Sequence, residues 1–131
     1  MDATIEFVDG PFDAVVTSVG VGTVAELEAA DRVLYADPRW RPGINILYDH
    51  SRLVPSGQAT GSDIRALAER DSLPTAHRLV GHVAVVAATD TVYGLARMWL
   101  AQLEPTIAER TAVVRTVEDA YAWLAASTSE P

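Results

Sequence analysis

The chain has 131 residues, a length that suits one domain with its own core rather than two. It carries no cysteine and no lysine, so disulfides, thiol nucleophiles, Schiff-base chemistry and the lysine of a phosphate-binding P-loop are all excluded. The net charge of -8 and the scattered arginines oppose binding to nucleic acid, and no stretch reaches the ~18 apolar residues of a membrane span.

In chain order, Ile5 to Val8, the turn signal Gly10-Pro11 and the β-branched run Ala14 to Val19 predict an antiparallel hairpin. Thr23-Val24-Ala25-Glu26 has the spacing of a capping box and starts a helix predicted over Thr23 to Ala36, which Pro38 ends. Its apolar residues Leu27, Ala30, Val33 and Leu34 recur at helical spacing. The loop Asp37 to Gly43 leads into Ile44 to Tyr48, predicted as a buried strand, and Pro55 to Gly61 reads as a polar loop. Ser62 is expected to cap a helix ending near Asp71, and His82 to Ala88 is a continuous apolar strand of the kind covered on both faces. Asp90 is expected to cap a third helix reaching Leu103, Thr111 to Arg115 forms a short strand, and Thr116 opens a last helix.

The predicted order is β-β-α-β-α-β-α-β-α: an α/β fold with a mixed, mostly parallel sheet of about five strands flanked by about four helices. A single domain is expected over residues 1–126, with 127–131 a frayed tail. The N-terminus has neither the basic nor the apolar region of a secretory signal, so a cytoplasmic location is expected.

Several strings are similar to the SpoIIAA-like group of STAS domains, the fold of bacterial anti-sigma-factor antagonists. They are Asp37-Pro38-Arg39-Trp40-Arg41-Pro42-Gly43, Leu47-Tyr48-Asp49, Tyr93-Gly94-Leu95-Ala96-Arg97-Met98 and Val117 to Leu124, and the resemblance runs over nearly the whole chain. It implies a non-enzymatic regulatory module that associates with a protein partner or with itself as a homodimer. The same branch is likened to CRAL-TRIO lipid-transfer domains, which implies an apolar small ligand as the alternative. Antagonists of this group carry a phosphorylatable serine in an Asp-Ser-Ser-Gly-like turn; here the corresponding region reads Pro55-Ser56-Gly57, without the acidic residue.

Gly20-Val21-Gly22-Thr23-Val24-Ala25 fits a loose dinucleotide fingerprint, against the plainer reading of a tight turn before a helix cap. Asp49-His50-Ser51 holds the three residue types of a serine hydrolase, but consecutive strand residues diverge and form no triad by themselves. His50, His77 and His82 lack metal-ligand spacing, so neither a metal nor a cofactor is expected, and His77 and His82 are read as surface or interface residues. Val92, Leu95, Ala96, Trp99 and Leu103 form the core stripe of the third helix, while Tyr93, Met98 and Leu100 extend its apolar surface beyond a normal core face. The candidate ligand- or partner-binding residues are therefore Asp49, Ser51, Ser56, Tyr93, Arg97, Met98 and Trp99. Arg39-Trp40-Arg41 is expected to close one end of the sheet.

Overall fold

The computed structural model describes residues 1–57, 59–73 and 80–128. Its strands are β1 (Asp2–Phe7), β2 (Ala14–Gly22), β3 (Ile46–Pro55), β4 (Val83–Val86) and β5 (Thr111–Val114). Its helices are α1 (Val24–Ala36), α2 (Gly61–Asp71), α3 (Asp90–Ala101), α4 (Pro105–Ala108) and α5 (Val117–Thr128). The strands form one sheet in the order β1-β2-β3-β4-β5, with β1 antiparallel to β2 and the remaining pairs parallel. The α/β class and the mostly parallel sheet thus agree with the expectation, and among the described residues the helices number five rather than about four.

The differences have local causes. The third helix stops at Ala101, and Pro105, which pre-sets a helical φ and needs no hydrogen-bond acceptor there, opens the separate turn α4. Thr60 rather than Ser62 caps α2: its hydroxyl accepts from the Asp63 amide and the Asp63 carboxylate accepts back from the Thr60 amide. Thr89 rather than Asp90 caps α3, accepting from the Val92 amide. The box at Thr23 forms as its spacing predicts. β3 runs seven residues beyond Tyr48 because β2 continues beside it as far as the pair Gly22 and Pro55. α5 continues through Thr128, into the segment expected to fray.

The layers follow from side-chain alternation along the strands. Ala14, Val16, Ile46 and Val83 face α1 and pack on Leu34, while Val85 and Val113 meet Val92, Ala96 and Trp99 of α3. Leu47, Ala84 and Val86 point the other way, onto Ala120 and Leu124 of α5, with Phe12 completing that cluster. Because β2 to β5 follow one another across the sheet, right-handed crossovers place α1, α2 and α3 on the same face. Trp40 stands edge-on to Tyr35 at 4.9 Å and Arg39 lies over Phe7 at 4.6 Å, closing one end of the α1-side core as expected.

Among the described residues no helix is long and apolar enough to cross a membrane.

Candidate functional site

Between the sheet and the three-helix layer lies a cavity of about 170 Å³. Its floor is the helix-facing alternation of β2 and β3, Val16-Ser18 and Tyr48-His50, continued by Val83 and Val85 of β4. Its roof comes from α1, α2 and α3, where small residues such as Ala30 and Ala96 stand among Leu27, Ile64 and Leu67. Small side chains on the roof hold the helices over the sheet without filling the space beneath them. The lining runs from Gly22 and Pro55, at the carboxyl ends of β2 and β3, to Thr111 at the amino end of β5. Thr23, at the first of these ends, is the lining residue that is exposed.

Almost all of this wall is apolar, so its polar groups stand out. At the joint of the three helices the Arg70 guanidinium meets Glu28 at 2.7 Å, Asp71 at 3.2 Å and Asp31 at 3.8 Å. The Tyr48 hydroxyl donates to Asp31 at 2.8 Å, and Trp99 Nε1 donates to Asp71 at 2.9 Å. Burial pushes the Asp31 carboxyl up to about 7; the neighbouring charges of Asp71 and Glu28 push the same way, against the pull of Tyr48 and Arg70. Burial likewise raises the Tyr35 and Tyr48 hydroxyls, so both stay protonated.

Further along the floor, β2 and β3 slip register: Thr17 pairs with Asp49 and Val19 with Arg52, leaving Ser18 opposite two residues, His50 and Ser51. Ser18 is fully buried and His50 lies beside it on the helix side of the sheet. Neither Ser18 Oγ nor His50 Nδ1 has a hydrogen-bond partner among the described residues. Buried polar atoms are nearly always satisfied, and these two are sealed within the wall rather than open to the cavity. Burial holds the His50 imidazole down to about 4, which keeps the ring neutral.

The predicted site residues divide. Trp99 lines the cavity. The Asp49 carboxylate accepts from the Ser51 amide at 3.0 Å and from its hydroxyl at 2.6 Å. With the Ser51 hydroxyl donating to Asp49 directly, the three residues do not form the relay of a triad. Ser56 sits in the loop after β3, its amide bonded to the Gly22 carbonyl. Tyr93 packs beside Val85 and Val92, with the Arg115 guanidinium 4.0 Å above its ring. Arg97 and Met98 are exposed. Of the apolar surface expected to spread around the third helix, Tyr93 and Leu100 are therefore turned into the core and Met98 alone faces out.

The glycine string before α1 has a structural use. Gly20 takes a φ of +91°, and a side chain on Gly22 would meet Met1 Sδ at 2.7 Å. The helix N-terminus that a phosphate would need is filled by the Glu26 carboxylate, bonded to the Thr23 amide at 3.1 Å. His82 stands edge-on to Trp123, and its amide donates to the Asn45 side chain. His77 lies outside the described residues. Among the described residues no group of three or more potential ligands could hold a metal ion.

Sequence reasoning missed Ser18, Asp31, Tyr48 and His50 as site residues. The available signal was alternation: Ala14-Val16-Ser18 and Ile46-Tyr48-His50 each continue an inward-facing row with a polar residue.

No protein-family model matches the chain, and no curated protein does so either.

Proposed function

We propose that the chain is a STAS-like, non-enzymatic binding domain whose working part is the cavity beneath α1, α2 and α3, where it holds a small, mostly apolar molecule. The observation that carries this reading is the apolar cavity itself, about 170 Å³ between the sheet and the three helices. Apolar cavities of about 150 Å³ take up benzene, so about 170 Å³ suits a ligand of roughly six to ten heavy atoms. The order of the elements and the hairpin that opens the sheet support the STAS-like assignment. The Asp49 carboxylate is taken up by the amide and hydroxyl of Ser51, which supports binding without turnover.

A tightly held ligand adds mass, so native mass spectrometry of the protein as purified, joined to thermal shifts with small apolar molecules, tests the reading. A ligand mass or a stabilisation of several degrees is expected. A bare protein mass with no shift from any member of the panel would overturn it.

A further inference from the structure

We infer that the outer half of β1, β2 and β3, on the sheet face that also carries α5, pairs with the same face of a second copy of this chain across a two-fold axis running along β2, so that Asp2 of each copy meets Arg52 of the other. This surface is separate from the cavity, and the inference does not depend on what the cavity holds.

Strand register fixes which residues share the face. Leu47 points toward α5, and Val15, its register partner, packs on the same cluster. Every second residue returns to the same side, so Thr17, Val19 and Val21 of β2 follow Val15. Pairing brings in Asp2 and Thr4 from β1, opposite Val19 and Thr17, and Arg52 and Val54 from β3, opposite Val19 and Val21. The intervening residues Gly22, Leu53 and Pro55 line the cavity on the other side, as this alternation requires. α5 packs against β4 and β5, and β4 ends at Val86, level with Asp49. The rows beyond that level are left open: Val21 and Val54, side by side, are 61% and 52% exposed, and Asp2, Thr4 and Arg52 are exposed as well.

The charge pattern selects the occupant. Asp2, Val19 and Arg52 form one row across three strands, with a carboxylate at the sheet edge and a guanidinium two strands away. Neither takes part in an ion pair among the described residues. A two-fold axis parallel to the strands and above β2 reverses this row from side to side while keeping its level. It sets Asp2 over Arg52 at both ends, Val19 and Val21 over their own counterparts, and the Thr4 hydroxyl over the Asp49 carboxylate. Stacked sheets lie ~10 Å apart, a gap that one long arginine and one short aspartate fill together. An axis across the strands would instead stack β1 on β1 and β3 on β3, bringing like charges together. A partner of uniform charge would meet one end of the row with its own sign, whereas a second copy carries both signs at the matching spacing.

Sedimentation equilibrium of the full chain from micromolar to millimolar concentration tests this, for the parent, Arg52→Asp, Asp2→Arg and the exchange Asp2→Arg/Arg52→Asp. The parent is expected to dimerise. Each single reversal puts like charges at both ends of the contact and should weaken dimerisation about tenfold or more. The exchange restores both pairs with their signs swapped and should return the affinity to within about threefold of the parent. Val21→Asp, which sets two carboxylates against each other at the axis, should abolish the dimer. All three positions are exposed, so far-ultraviolet circular dichroism of every variant should match the parent. A parent that stays monomeric throughout would overturn the pairing and leave this face to a different partner. A dimer that the single reversals do not weaken, or that the exchange does not restore, would overturn it as well.

Discussion

The two faces of the sheet are built to different standards of packing. On one, a single helix, α5, closes a solid cluster in which Leu47, Ala84, Val86, Ala120 and Leu124 are all buried. On the other, three helices span a cavity of about 170 Å³ and enclose an acidic network and two unsatisfied polar atoms. More helices do not make a better-filled core; small residues facing one another across a wide layer leave space that a single closely seated helix does not. The α5 face is closed by one helix, and the α1–α3 face leaves space beneath three.

Truncations should expose this contrast most strongly. Leu47→Ala, in the solid cluster, is expected to lower unfolding free energy by about 3–5 kcal/mol, whereas Leu67→Ala, on the cavity wall, should cost under about 2 kcal/mol because fewer atoms lose contacts there. Urea titration of both variants measures the difference, and equal losses would remove the distinction between the faces.

Next in size is pH. The folded state holds the Asp31 proton up to about 7, well above the ordinary carboxylate value of 3.8, so Asp31 contributes stability at low pH that is lost as pH rises through 7. His50 acts oppositely, its contribution being present above 6.5 and lost as pH falls toward 4. Asp31→Asn removes the first effect alone. Its stability relative to the parent should therefore improve by up to about 4 kcal/mol between pH 4 and pH 8, as read by denaturant midpoints across that range. A flat difference would show that the cavity side does not desolvate this carboxyl.

Smaller effects sharpen the picture. Ser18→Ala deletes a buried hydroxyl without a protein partner and should stabilise the ligand-free protein by up to about 1 kcal/mol, a reversal of the usual sign for a buried truncation. Ala96→Leu should fill cavity space with a stability change within about 1 kcal/mol, yet abolish binding of any apolar probe. Thermal denaturation with and without a small apolar probe separates these two outcomes.

How far this was legible in the sequence differs between the fold and the site. The capping box at Thr23, the apolar run of β4 and the hairpin are local signals, and each appears where its residues place it. The outer half of β3 escaped notice because Ser51 to Val54 mixes polar and apolar residues beside β2 alone, away from the four-strand centre. The third helix was expected to reach Leu103, and its earlier end at Ala101 goes with the new turn that Pro105 begins. The cavity has no sequence period at all. It arises from how three helices seat over one sheet, and Asp31 meets Tyr48 across 17 residues while Asp71 meets Trp99 across 28. Trp99 was reached through its helix stripe; Ser18 and His50 needed the inward rows of two strands to be followed past their last apolar residue.

The cavity also gives the molecule a volumetric signature. Unfolding eliminates internal space, and the volume lost scales with the space that packing leaves unfilled, here a cavity of about 170 Å³. Hydrostatic pressure should therefore favour the unfolded chain, and a molecule that occupies the cavity should lessen that effect.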